Sequence, residues 1–449
     1  MSHKLFGTDG VRGVANTFPM TAEFAFRLGQ VLSKLICTDT KRVAIAKDTR
    51  VSSYMLEAAL TAGFTSMGTD VVKMRVVPTP LMTSQISDLD VDMGVMITAS
   101  HNPYYDNGIK LIDKFGDKFT DEWSERVEDM LISEEKFFPS KDAIGKVFKD
   151  KISVPVYMEN VLNVAPSADA LKGLRLVIDC ANGAFSKIMP QIFKSLGAGI
   201  ITLSDKPDGF NINQDCGSQH TEHLSEVVVQ SHAHLGVAVD GDGDRLIVID
   251  DEGKRIDGDQ IIAFLADYLY KHDKLKGNAV VATVWSNMGL EKYLHNLGIS
   301  FYRTPVGERY VIEKMREVSS SLGGEESGHM VLSDYARTGD ALIASIVFCL
   351  AFLEDGRKVS EIFPVFEKCP CVVTNIRFDA AGEVTSAFEA ADVRSVIDEA
   401  QILIEKQGSV IVRKSGTEPV IKVRVEGEDE RLVYTLNKKI VETIEKYKG

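Results

Sequence analysis

The sequence predicts an α/β protein built from several βαβ units, and three observations carry the prediction. Apolar runs of strand length alternate with longer segments of helical period through the first hundred residues, an order that yields largely parallel sheets flanked by helices. The alternation restarts at Leu174 and again near Asp257. The 449 residues, 44% hydrophobic and 26% charged, suffice for about three or four domains with their own cores.

The elements follow in order. Phe6 to Gly13 is a glycine-punctuated loop, a backbone-rich anion cradle with Arg12 as its charged arm. Helical period covers 22–36 and 54–67, and strands are expected at 42–46 and 71–77, the latter ending at Pro78-Thr79-Pro80. The run from Gly94 to Ile97 then breaks into Thr98-Ala99-Ser100-His101-Asn102-Pro103. Small and polar residues followed by Asn-Pro resist helix continuation. The Ser100 hydroxyl is thereby lifted beyond the carboxyl end of a strand, where open α/β sheets bind ligands. Alone, the same pattern also reads as a strand-to-turn junction whose serine caps a helix. A turn at 104–108 feeds a further strand that carries Lys110 to the same sheet edge. A helix over 120–138 and a Lys- and Asp-rich linker over 139–155 close this part.

The second unit opens with a strand at 174–179 and a turn at 181–184, followed by an irregular Gly- and Asn-rich loop over 205–220. His220, His223, His232 and His234 have spacings that fit no zinc pattern and read as surface residues. Val237 to Asp250 holds the sharpest local chemistry. Asp240, Asp242 and Asp244 alternate with Gly241 and Gly243 between two apolar strands. Alternation turns the carboxylates to one side, and the glycines let the backbone approach an ion. Such hard oxygen ligands suit Mg²⁺. An EF-hand is excluded by Arg245 at the sixth loop position, and a dinucleotide fingerprint by Leu246 at its third glycine.

The third unit is expected to contain helices at 260–270 and 289–297 and a strand at 279–283, reaching the loop Thr304 to Tyr310. Gly323 to His329 groups Glu325, Glu326, Ser327 and His329 between glycines, a set suited to sugar hydroxyls. The apolar run from Ala341 to Leu353 is too short for a membrane span and predicts a buried helix. Cys369-Pro370-Cys371 reads as a strand edge with small buried residues rather than a zinc site. The last segment has its own strand and helix pattern. Its loop Arg413-Lys414-Ser415-Gly416-Thr417 has the cations and hydroxyls of a phosphate clamp.

The net charge of −14 argues against nucleic-acid or anionic-membrane partners. No targeting segment is visible, and a cytoplasmic location is the expectation.

Taken together, these loops resemble the α-D-phosphohexomutase superfamily over essentially the whole chain, and within it the mutases of amino-sugar phosphates. The likeness rests on Phe6 to Gly13, Thr98 to Pro103, Asp179 to Ala184, Asn211-Ile212-Asn213 with Cys216-Gly217, Ser286 to Glu291, and Ser415 to Pro419. It implies four domains around a central cleft: three related mixed-sheet α/β domains at 1–150, 151–255 and 256–370, and a smaller C-terminal α+β domain at 371–449. It further implies an isomerase carrying phosphoserine at Ser100, with one Mg²⁺ held by Ser100, Asp240, Asp242 and Asp244. By the same likeness Arg12 and Arg245 steady the phosphoryl group and Lys110 and His101 assist acid–base chemistry. Glu325, Ser327 and Arg309 bind the sugar phosphate, and Arg413, Ser415, Gly416 and Thr417 clamp its second phosphate. A phosphorylated amino sugar as substrate, a hexose bisphosphate as intermediate and activator, and a homodimer complete the implication. Glucose or mannose phosphate mutases, a silent sugar-phosphate sensor and a metal-dependent phosphatase are the rival readings. Glu326 stands where Gln is common in the family, Lys414 where Pro is, and Glu308 where Asp is.

Overall fold

Four sheets carry the described strands of the computed structural model, which describes residues 5–448 apart from 8, 36–40, 134–136, 138–140, 380, 406 and 415–418. They fall into two compact units, Met1–Trp285 with Ile299–Val365, and Ser286–Gly298 with Phe366–Gly449.

The first sheet of the first unit contains β1 (Val11–Val14), β2 (Arg42–Lys47), β3 (Asp70–Val76), β4 (Met93–Ile97), β5 (Asp106–Asp113) and β6 (Val147–Lys149) in the order β1-β5-β4-β2-β3-β6. Strands β4, β2, β3 and β6 are parallel, whereas β5 runs antiparallel to both β4 and β1. The sheet is therefore mixed, for a physical reason. Residues 98–105 are too few for the crossover that parallel strands need, so the chain turns straight back after Ser100. That return pairs Lys110 with Met96 on β4. Strand β4 is buried along its length, which accounts for its unbroken apolar run. Leu28, Val31 and Leu32 of the helix Ala22–Leu35 and Leu56, Leu60 and Phe64 of the helix Ser52–Ser66 share one core with Val43, Ile45, Val95 and Ile97.

The expected linker over 139–155 needs correction. It contains β6, which joins β3, and the start of the helix Ser153–Leu162. All three β6 residues are exposed, and a short, Lys-bearing edge strand has the composition of a linker.

The second sheet comprises β7 (Arg175–Asp179), β8 (Gly199–Leu203), β9 (Leu235–Val239), β10 (Leu246–Ile249) and β11 (Arg255–Ile256), ordered β11-β10-β9-β7-β8. Antiparallel β9 and β10 pair Val239 with Leu246, so the acidic motif is the loop of a hairpin. The third sheet has β12 (Ala279–Thr283), β13 (Ser300–Thr304), β14 (Leu322–Gly324) and β15 (Met330–Leu332), ordered β13-β12-β14-β15. Its β14–β15 hairpin presents Glu325 to His329. The run from Ala341 forms the helix Ala341–Asp355, buried as expected, and Asp340 caps it by accepting from the N–H of Leu342 and Ile343. His220, His223 and His232 are exposed. No helix among the described residues is long and apolar enough to cross a membrane.

The second unit contains β16 (Cys371–Arg377), β17 (Gly408–Lys414) and β18 (Val420–Gly427), an antiparallel sheet ordered β16-β18-β17. Helices Ala391–Ile404 and Glu430–Glu445 close its core through Val393, Val396, Leu436 and Ile440. The helix Met288–Asn296 groups with this unit: Met288 N–H donates to Glu426 Oε1, and Asn287 Oδ1 accepts from Cys369 N–H. Cys371 is exposed and Cys369 half-buried, contrary to the expectation of buried thiols, because β16 is an edge strand.

Candidate active site

Ser100 lies just past β4, 1% exposed, with φ of 52°. The left-handed region costs a non-glycine residue about 1–2 kcal/mol, so the surrounding structure must hold it. Its N–H donates to Thr98 Oγ1, and Thr98 in turn donates to Asp48. Its carbonyl accepts from Arg50 Nη2 and Asn213 Nδ2, both at 2.9 Å, and the same two atoms reach the carbonyl of Asn102. Arg50 is fully buried and its Nε donates to Asp48 Oδ2 at 2.9 Å. The sequence reading assigned no role to Asp48, Arg50 or Asn213. A usable signal existed: Asp48 to Arg50 directly follow β2, the parallel neighbour of β4, at the same carboxyl edge.

The Ser100 hydroxyl donates to Asp240 Oδ2 at 2.6 Å. Asp240 Oδ1 accepts from the N–H groups of Gly243, Asp244 and Arg245, which fixes the loop around it. At Gly241 an added Cβ would lie 2.8 Å from the Ser100 carbonyl, so only glycine allows the acidic and serine loops to approach this closely. Ligand oxygens of Asp240, Asp242 and Asp244 all lie within 4.8 Å of one another. Oδ1 of Asp242 and of Asp244 are buried and accept no hydrogen bond from the described residues. Buried anionic oxygens without donors fit a hard divalent cation. Crowding shows in the protonation balance: burial, with Asp244 and Asp242 beside it, pushes the Asp240 carboxyl well up.

Lys110 lies on β5, 1% exposed, with Nζ 2.8 Å from Asp242 Oδ2 and 3.2 Å from Asp244 Oδ2. Burial opposes its charge, but Asp242, Asp9 and Asp244 outweigh that and hold its pKa well above the usual lysine value. Lys110 thus meets the aspartates as an ammonium. His101 Nδ1 is 3.3 Å from Ser100 Oγ. Burial, with Arg245 and Arg12 nearby, lowers its pKa to about 3, so the ring is neutral at physiological pH. Arg12, on β1, pairs with Asp9, and Arg245 Nε lies 3.9 Å from Asp244 Oδ1.

In the β14–β15 loop, Glu325 Oε1 accepts from Gly307 N–H at 3.1 Å and Ser327 Oγ donates to Glu325 Oε2 at 3.2 Å. Both residues are half-buried, and Glu325 also raises the Arg245 pKa, though burial opposes it most. The structure thus gathers Ser100, His101, Lys110, Arg12, Arg245 and the three aspartates, with Glu325 and Ser327 at their side. Arg309 is placed differently: Nη2 donates to Asp121 at 2.7 Å and Nη1 to the Phe119 carbonyl. Arg413 is on β17 of the second unit, and Ser415, Gly416 and Thr417 lie outside the described residues.

Comparison with known proteins places the chain in a family. Models of the phosphoglucomutase/phosphomannomutase alpha/beta/alpha domains I, II and III match residues 3–137, 155–253 and 257–369, and that of the C-terminal domain matches 374–443. The phosphoglucosamine mutase of Paramagnetospirillum magneticum is 45% identical over 452 residues, covering 100% of both chains. That of Rhodospirillum centenum is 45% identical over 453 residues, covering 99% of this chain and 96% of the other. A phosphoglucomutase/phosphomannomutase family protein from Burkholderia thailandensis has the same fold, with a TM-score of 0.80 at 23% identity over 100% of this chain and 98% of the other. The Aspergillus fumigatus N-acetylphosphoglucosamine mutase, solved with GlcNAc-6P and magnesium, superposes with a TM-score of 0.67 at 16% identity over 99% and 96% of the two chains.

Proposed function

The chain belongs to the phosphoglucosamine mutases of the phosphoglucomutase/phosphomannomutase family, and we propose that it interconverts glucosamine 6-phosphate and glucosamine 1-phosphate through a phosphorylated Ser100. The reading is carried by one observation, the buried Ser100 hydroxyl 2.6 Å from a cluster of three aspartates that Lys110 only partly neutralises.

In the proposed reaction the free sugar hydroxyl gives up its proton as its oxygen bonds to phosphorus and the Ser100 Oγ–P bond breaks; Ser100 Oγ takes up a proton, leaving the serine hydroxyl and a sugar bisphosphate. The bisphosphate turns over and returns its other phosphoryl group to Ser100, leaving the isomeric monophosphate. Phosphoryl transfer asks the protein mainly for positioning and charge stabilisation. Mg²⁺ bound by Asp240, Asp242, Asp244 and the Ser100 phosphate would supply Lewis-acid neutralisation of the phosphoryl oxygens. Lys110, Arg245 and Arg12 supply fixed positive charge, and neutral His101 offers an acceptor beside the serine oxygen. Glu325 and Ser327 accept and donate to sugar hydroxyls. Arg309, which donates to Asp121 and to the Phe119 carbonyl, would have to exchange these partners to reach the substrate. The clamp role of Arg413, Ser415, Gly416 and Thr417 rests on the cations and hydroxyls of that loop and on the sequence resemblance.

Intact mass combined with parallel assays on the 6-phosphates of glucosamine, glucose and mannose tests the reading. A phosphate-sized increment located to Ser100, with preference for the amino sugar, is expected. An unmodified serine that no hexose bisphosphate activates would overturn it, as would phosphate release as fast as isomerisation. Preference for glucose or mannose phosphate would keep the mechanism and change the substrate.

A further inference from the structure

Six side chains of the first unit close into a ring of alternating charge. Lys110 Nζ is 3.2 Å from Asp244 Oδ2, and His329 Nδ1 is 3.7 Å from the other oxygen of Asp244. His329 Nε2 lies 2.7 Å from Glu308 Oε1, and Glu308 Oε2 pairs with Lys118. Lys118 pairs with Asp9 Oδ1, and Asp9 Oδ2 returns to Lys110 Nζ at 3.2 Å. The members come from the loop before β1, from β5 and the turn after it, from the acidic loop, from the start of the helix Glu308–Val318 and from the β14–β15 loop. Glu308 is anchored independently, accepting from Gly339 N–H and from the Thr338 hydroxyl. Lys118 is fixed through its backbone, in a bridge with Ile112 of β5.

We propose that Lys118 and Glu308 are positioning residues, which set the places of Lys110 and Asp244 through Asp9 and His329. The proposal rests on the reading that Lys110 and Asp244 serve phosphoryl transfer. Each ring member touches two groups of the opposite kind, carboxylates against lysine or histidine, so losing one leaves two neighbours that must repartner. Without Lys118, Asp9 keeps only Arg12 and Lys110, and its pull draws the Lys110 ammonium away from Asp242 and Asp244. Without Glu308, His329 keeps Asp244 as its one anionic partner and moves onto it. Either change displaces a charged group beside the reacting atoms, where an error near 1 Å can cost about 10²-fold in rate. In the sequence Glu308 stands out only as a departure from Asp, and Lys118 not at all.

The test is a double-mutant cycle of Lys118→Met and Glu308→Gln, with kcat, KM, melting temperature and Mn²⁺ binding by electron paramagnetic resonance measured for each. The ring predicts that each single change lowers kcat by on the order of 10- to 100-fold, with KM changed less than about threefold. It also predicts that the double variant is no slower than the slower single one, because a ring opened once gains little from being opened again. Lys118→Arg keeps charge and reach and is expected to recover most of the rate, which also covers the case that Lys118→Met does not fold. A kcat within twofold of the parent for Lys118→Met, multiplicative losses in the double variant, or no recovery with Lys118→Arg would each overturn the proposal. Asp242→Asn, run alongside, separates the layers: unchanged Mn²⁺ binding there would defeat the underlying site reading, whatever the ring variants do.

Discussion

Ser100 and Asp240, separated by 140 positions, are joined by a 2.6 Å hydrogen bond from Oγ to Oδ2. The contact exists because β4 and β9 both end in loops at the carboxyl edges of their sheets, and Gly241 removes the side chain that would keep those loops apart. In the proposed mechanism a hydroxyl held this way exchanges a phosphoryl group beside a cation. Ser100→Ala is therefore expected to lower mutase turnover by at least about 10³-fold and to abolish the phosphate mass increment, with the melting temperature little changed. Retention of most activity would sink the phosphoserine scheme.

Asp242 is the second test, because its Oδ2 accepts from Thr79 and Lys110 while Oδ1 has no hydrogen donor among the described residues. Asp242→Asn removes one anionic ligand and leaves those two contacts possible. The Mg²⁺ concentration for half-maximal activity is expected to rise by about tenfold or more, the scale at which changed metal surroundings act. A Mg²⁺ curve that superimposes on the parent's defeats the metal assignment.

Arg50 makes a structural prediction. Its buried guanidinium binds Asp48 and the carbonyls of Ser100, Asn102 and Pro103 through separate N–H groups. Arg50→Met leaves Asp48 buried without that partner, a loss of about 3–5 kcal/mol by analogy with other buried pairs. Arg50→Lys should recover little, because one ammonium cannot reproduce the fork. Urea unfolding read beside kcat checks both. A lysine variant as stable as the parent would show that charge alone holds the serine loop.

How much of this was readable in the sequence depended on whether the determining residues were neighbours in the chain. The aspartates were readable because Asp240, Asp242 and Asp244 alternate within one hairpin loop, where repulsion without a cation has no benign explanation. Ser100 was readable because an apolar strand stops abruptly before it. Strand β6 was not, since three exposed residues are too short a run to show a period. The supports of the site were hidden for another reason. Arg50 resembles an ordinary charge before a helix until topology sets β2 beside β4, and Lys118 meets Glu308 across 190 positions that no local pattern spans. Local chemistry points to candidate ligands, whereas the residues that hold them in place are disclosed only by the fold.

Glu326 carries the prediction on substrate. It follows Glu325 in the β14–β15 loop and is half-buried, a second carboxylate beside the proposed sugar site. An ammonium on the sugar would gain from that charge, while a hydroxyl would not. Glu326→Gln is expected to raise KM for glucosamine 6-phosphate by about two- to fivefold, the scale of a partly solvated ion pair, and to leave KM for glucose 6-phosphate unchanged. Equal effects on the two substrates would remove Glu326 from specificity.

The last prediction concerns stability and a carboxyl away from the aspartate cluster. Asp340 is 2% exposed, caps the helix Ala341–Asp355 and accepts from the Tyr157 hydroxyl at 2.7 Å. Burial outweighs these hydrogen bonds and lifts its pKa from 3.8 to about 6. The folded state thus binds this proton more tightly than the unfolded chain does. The resulting stabilisation is fully present below about pH 3.8 and is lost as pH rises through about 6. A shift of that size corresponds to about 3 kcal/mol. Asp340→Asn cannot ionise, so its stability relative to the parent should climb by up to that amount between pH 4 and pH 7. Urea unfolding of both proteins across this range reads the difference directly, and other titrating groups cancel in it. The slope rather than the offset is decisive, since the amide also alters the bond to Tyr157. A difference independent of pH would mean that Asp340 titrates normally in the folded protein.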